Sequence, residues 1–209
     1  MTTNDTLPPR RAVDRIRDSA RELFYRRGIR AVGVDVIVAK AGVTKPSLYR
    51  SFASKDDLAT DYLDAYARTF LESFDWAVAI HHGDPRSQIR AWIANLGSRA
   101  TRPGYRGCGL SNAAVEYPEV GHPARVAAER HKRDFRRRLS LLTEDMGVAD
   151  PDALADGLML LIEGAYVTGQ LFGPGGPAVH LAAAADALIE AHLMRSAPAR
   201  TVAKLTVDA

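Results

Sequence analysis

The chain has 209 residues, 46% hydrophobic and 25% charged, with a formal net charge of +3. This is an ordinary globular balance that can bury a core, and no stretch reaches the roughly 18 uncharged apolar residues of a membrane helix. One cysteine, Cys108, excludes an internal disulfide, and the first residues lack the apolar core of a signal peptide, so a cytoplasmic protein is expected.

The charge is unevenly spread. Residues 1–52 hold eleven Lys and Arg against five Asp and Glu, a net of +6, and the remainder is slightly acidic at −3. A basic N-terminal quarter suits a polyanion-binding head, although a basic tail arising by chance gives the same count. After a frayed tail at 1–9, Val13, Ile16, Ala20, Leu23 and Phe24 form one stripe at helical spacing, and Gly28 can end that helix as a left-handed cap. Val34, Ile37, Val38 and Ala41 predict a second helix closed by Gly42. A strand competes there because the segment is β-branched, but the stripe skips Asp35 and Lys40 at helical intervals.

A third, short helix is predicted over Pro46–Phe52. Thr44 or Lys45 caps it, and either choice leaves Pro46 in the first turn, where its missing N–H costs nothing. The tight Ala41-Gly42-Val43-Thr44 turn joining helices two and three is a helix-turn-helix pattern. Leu48 and Phe52 pin the third helix down, leaving Lys45, Ser47, Tyr49 and Ser51 outward with Arg50 at the edge. Such a helix fits a major groove about 12 Å wide. Lys45 and Ser47 can reach base edges, and Tyr49 and Lys55 can reach phosphates. The plain alternative is a structural helical hairpin with a solvated face.

Ser54, Asp56 and Asp57 start a long fourth helix that runs to about Ile80, with Leu58, Tyr62, Ala65, Phe70 and Phe74 as inward candidates. Further helices are predicted at about 85–100, 108–117, 122–146, 151–172 and 177–195, between Gly/Pro breaks, and the last residues, from about 197, form a flexible tail. The expectation is an all-α fold of about nine helices: a head suited to DNA over 1–55 and a larger helical bundle over 56–209.

"VDVIVAKAGVTKPSLYRSFASKDDL" resembles the helix-turn-helix signature of the TetR/AcrR family of transcriptional regulators. There, an apolar second helix, an Ala-Gly-Val-Ser/Thr turn and a Leu-Tyr-x-x-Phe recognition helix precede a Ser-Lys-Asp/Glu-x-Leu start to helix four. The match covers about residues 10–65. The resemblance implies an all-α homodimer that binds double-stranded, pseudo-palindromic operators. It also implies DNA contacts from Thr44, Lys45, Pro46, Ser47, Tyr49 and Ser51, with Lys55 on the backbone. One departure is plain: many members begin helix two with a phosphate-touching Thr or Ser, and this chain has Gly33-Val34. The backbone amides of those two residues are the substitute expected here.

In the larger domain an apolar pocket with a few polar groups can hold a small-molecule effector. Its candidate lining is Phe70, Trp92, Tyr105, Cys108, Asn112, Glu116, Tyr117, Tyr166 and Gln170, against plain core packing for each aromatic. Cys108 near Arg106 can also be drawn as a redox sensor, but a free cysteine is more often a small buried hydrophobe. His81-His82, His122 and His131 lack metal-ligand spacing, and no catalytic triad or phosphate-cradling glycine loop is present. No metal, cofactor or enzymatic activity is expected. The last two helices mix Leu, Ile and Met with Ala and Gly, which suits a homodimeric four-helix bundle. The leading expectation is therefore a repressor released from its operator by a small molecule. The alternative is a ligand-binding or enzymatic helical protein carrying a vestigial helix-turn-helix head.

Overall fold

A computed structural model describes residues 10–196. The tails foreseen at 1–9 and 197–209 lie outside the described residues. Within them the chain is α1 (Ala12–Arg27), α2 (Val34–Ala41), α3 (Lys45–Tyr49), α4 (Lys55–Ile80), α5 (Pro85–Ala100), α6 (Gly109–Glu116), α7 (Pro123–Asp145), α8 (Pro151–Phe172), a 3-10 turn (Pro177–His180) and α9 (Leu181–Ser196). The all-α expectation holds, and no described residue lies in a strand.

Helix starts follow local chemistry. The side chains of Thr44, Ser54, Asp84 and Asp150 each accept a backbone N–H from the first turn of α3, α4, α5 and α8. Thr44 is thus the α3 cap and Pro46 sits second in the helix, which resolves the one-residue choice left open by the sequence. Two local expectations are corrected. The recognition helix is shorter than Pro46–Phe52, because Arg50 and Ser51 form a turn and Phe52 lies beyond it. Gly28 has φ 88° and ψ 153°, a positive-φ residue outside the left-handed helical region, whereas Gly42 at φ 61° and ψ 42° is a true left-handed cap.

Helices α1–α3 enclose a small core in which Ile16, Ala20, Ile37 and Leu48 are fully buried and Phe52 nearly so. Helix α4 leaves this head and enters the bundle, packing on α1, α5, α6 and α7, while α8 packs on α7, α5 and α9. Phe70 and Phe74 of α4, Trp92 of α5 and Phe135 of α7 make edge-to-face pairs with centroids 4.8 to 5.6 Å apart. Gly169 brings α8 against α5 so closely that a Cβ there would stand 2.6 Å from the Ala100 carbonyl oxygen. Some of the small residues of α8 therefore serve packing within the chain. No helix of the described residues is long and apolar enough to cross a membrane.

Candidate nucleic-acid interface

Helix α3 is held by its apolar side and shows its polar side to solvent. Leu48 is completely buried and Phe52 packs beside it, under the Arg17 guanidinium 5.6 Å from the ring centroid. Arg17 also grips Asp61 of α4 through two bonds, at 3.0 and 2.8 Å, so α1 is tied to α4 across Phe52. On the outer side, the Ser47 N–H donates to Thr44 Oγ1 at 3.4 Å, Arg50 donates to Ser47 Oγ at 2.9 Å, and Ser51 Oγ donates to the Ser47 carbonyl at 3.4 Å. These bonds join residues three or four apart and stiffen the face before anything binds it.

The expected DNA-contact residues share this face, with differences in freedom. Thr44, Lys45, Pro46 and Ser51 are exposed, Ser47 is half-buried, and Tyr49 keeps half its surface in solvent. Lys45 Nζ lies 2.7 Å from Asp35 of α2, and that contact raises its pKa. Lys55 is turned inward: its ammonium donates to the Arg30 carbonyl at 3.3 Å, and burial lowers its pKa. One third of its donor capacity is thereby committed. At the start of α2, Gly33 is extended at φ −80° and ψ 157°, no side chain caps the helix, and nothing stands within 4 Å of where a Cβ would project.

Behind the head lies a junction that sequence reasoning missed. Glu116, at the end of α6, accepts the Arg30 N–H at 2.8 Å, while the Arg30 guanidinium donates back to the Glu116 carbonyl at 2.9 Å. The guanidinium also sits 5.5 Å from the centroid of the Tyr117 ring, which stacks on His122 at 3.9 Å. Partial burial and nearby carboxylates push the Tyr117 hydroxyl up to about 12. A Cβ on Gly28 would meet the Glu116 carboxylate at 2.9 Å, so the positive φ and the close approach both call for glycine there. A second bridge is Tyr25, whose hydroxyl accepts the Arg106 N–H at 3.2 Å and donates to the Gly107 carbonyl at 3.4 Å. No local pattern reveals contacts between residues 81 to 86 positions apart.

The nine candidate effector residues divide into three places. Phe70 and Trp92 fill the aromatic core with Phe135. Glu116 and Tyr117 belong to the junction, engaged by Arg30. Tyr105, Cys108, Asn112, Tyr166 and Gln170 gather where α8 meets the segment leading into α6. There Gln170 reaches Asn112 at 3.4 Å and Asn112 donates to the Arg106 carbonyl at 2.7 Å. Cys108 is fully buried, and the hydroxyls of Tyr62, Tyr105 and Tyr166 are buried without a partner among the described residues. Burial raises all three tyrosines far above their ordinary range. Of this set, Phe70 lines a cleft between α1 and α4.

A short capped helix with a polar outer face, set on two others across a left-handed glycine turn and mounted on a helical bundle, defines a helix-turn-helix DNA-binding protein. The comparisons agree. The model of the family described as "Bacterial regulatory proteins, tetR family" matches residues 16–62. The crystal structure of SCO4454, a TetR-family transcriptional regulator from Streptomyces coelicolor, superposes with a TM-score of 0.82 at 32% identity over 87% of this chain and 95% of that one. The transcriptional regulator AcuR of Cereibacter sphaeroides is 28% identical over 158 residues, 72% of each chain. The HTH-type transcriptional activator FasR of Mycolicibacterium smegmatis is 32% identical over 113 residues, 53% of this chain and 51% of its own. This chain belongs to the TetR family and is a DNA-binding transcriptional regulator.

Proposed function

We propose that the protein is a cytoplasmic repressor, associated with the nucleoid when bound, that a small-molecule effector releases from its operator. Residues 1–55 form the DNA-binding head and 56–209 the effector and dimer domain. The observation that carries this reading is the pre-stiffened outer face of α3. Two copies place their α3 helices in successive major grooves about 34–36 Å apart on a pseudo-palindrome. Lys45 and Ser47 read base edges, Pro46 supplies apolar contact, and Thr44, Tyr49 and Ser51 meet the backbone. Lys55 and the Gly33 and Val34 amides add phosphate contacts at the flanks.

What α8 and α9 leave uncovered supports pairing of two copies through these helices. Leu160, Gly164, Val167 and Leu171 form an exposed stripe at 3–4 residue spacing on α8, and Ala184, Ala187, Ala191 and Met194 form another on α9. Leu160 and Leu171 keep 74% and 71% of their surface exposed, a cost that pairing two copies removes. Replacing both Leu160 and Val167 with Glu is expected to give a folded monomer by light scattering, with operator affinity lost.

Selection of bound fragments from random duplex, then titration at two salt concentrations, tests the reading. Recovery of an inverted repeat and a steep fall in affinity with salt are expected. Tyr49→Ala weakens binding to all sequences, whereas Lys45→Ala and Ser47→Ala each cost about 1–3 kcal/mol at particular base pairs. An equal loss on every operator variant removes Lys45 from base readout. The name of FasR favours activation as a second reading. A reporter driven by the recovered operator decides, since a repressor silences it and an activator raises it.

A further inference from the structure

Between α1 and α4 lies a cleft of about 580 Å³, within the range of small-molecule sites, whose walls include Arg21 and Tyr25 of α1, Tyr62, Tyr66 and Phe70 of α4, and Arg99 of α5. Its charges are unequally committed. The two acidic lining residues are already paired, Asp18 with Arg10 at 2.7 Å and Glu22 with Lys40 at 3.0 Å. Arg21 and Arg99 have no carboxylate partner among the described residues. Two uncommitted guanidiniums beside aromatic walls favour a ligand with a planar anionic group and an apolar body.

The back of the cleft agrees. Tyr62 is only 5% exposed, and its hydroxyl has no partner among the described residues. That hydroxyl is sealed against Gly109 at the start of α6, so the cleft meets the apolar ring of Tyr62. Burial raises the pKa of the Tyr62 and Tyr66 phenols, so these walls stay neutral and do not repel an anion. Tyr25 is fixed in the wall by its bonds to the Arg106 and Gly107 backbone.

We infer that this cleft is the effector site and takes an amphiphilic organic acid, its carboxylate or sulfonate at Arg21 and Arg99 and its aromatic or aliphatic body against Tyr25, Tyr62, Tyr66 and Phe70. The inference rests on the ligand-released reading and gives it a place to act. One wall belongs to the head and the other to the helix that carries the head, so an occupant acts as a wedge between them. Its effect on DNA affinity is limited to its preference for the wedged conformation.

The test uses the full chain and 8-anilinonaphthalene-1-sulfonate, an aromatic sulfonate that brightens on leaving water. One saturable site is expected, weakened about tenfold or more in the Arg21→Gln/Arg99→Gln double variant and less in Arg21→Gln/Arg99→Lys. Ala65→Trp, which fills the cleft, is expected to abolish it. 4-Phenylbutanoate is expected to displace the probe at about one tenth the concentration needed by its neutral amide. Thermal melting verifies that each variant is folded. Unchanged probe binding in the double variant or in Ala65→Trp, or equal displacement by acid and amide, overturns the site. The operator arm separates the two readings. Arginine-dependent acid binding with unchanged operator affinity contradicts release and leaves the site standing. Release by an acid in the double variant at wild-type concentrations contradicts the site and leaves release standing.

Discussion

The two ends of the head solve the same problem in different ways. On the outer end, Thr44, Ser47, Arg50 and Ser51 bond one another through contacts three or four residues apart, and the face they build is stiff. On the inner end, Arg30 and Glu116 bond each other across 86 residues. A surface that must be ready for DNA is best built from local bonds, which survive rotation of the whole head. A joint that must change with a ligand is best built from distant ones, which rotation breaks. In the proposed reading, recognition belongs to α3 and control to the meeting of the α1–α2 loop, α4 and α6.

Removing the apolar support beneath the outer end has the largest expected effect. Leu48→Ala leaves a cavity in a small core, costs about 2–5 kcal/mol and melts the head before the bundle. Circular dichroism should then show an early transition of small amplitude, with operator binding lost. Breaking the inner end costs less: Glu116→Ala strips a partner from the Arg30 amide, for about 1–3 kcal/mol. Effector-driven release should weaken more than operator affinity itself, measured by anisotropy with and without ligand. Thr44→Ala removes the α3 cap and costs about 0.5–2 kcal/mol of stability, with a parallel loss of DNA affinity on all sequences. The smallest change is a gain. Asp35→Asn frees Lys45 and deletes a negative charge near the phosphates, so binding should tighten slightly and its salt dependence steepen.

How much the sequence revealed follows the same division. Helices announce themselves through stripes, caps and Gly/Pro breaks, so α4 is capped by Ser54 and α5 and α8 fall over the expected 85–100 and 151–172. The outer face of α3 was legible because Leu48 and Phe52 fix which side is buried. Its length was not: the helix gives way to a turn at Arg50 and Ser51, which no residue of that stretch announces. Periodicity also says nothing of partners. Lys55 carries a phosphate-binding residue's charge and spends part of it on Arg30, and Glu116 looked like pocket lining until its distant partner was in place. Tyr62 and Tyr66 stand one turn apart on α4, a visible signal, but only the fold sets Tyr25 and the two arginines around them.

Anisotropy titration of the operator recovered by selection tests whether α3 reads a two-fold site. Two protomers per site, a steep loss of affinity with added salt, and a Lys45→Ala penalty confined to particular base pairs are the predicted result. Duplex binding that is absent, or insensitive to both salt and sequence, would contradict it.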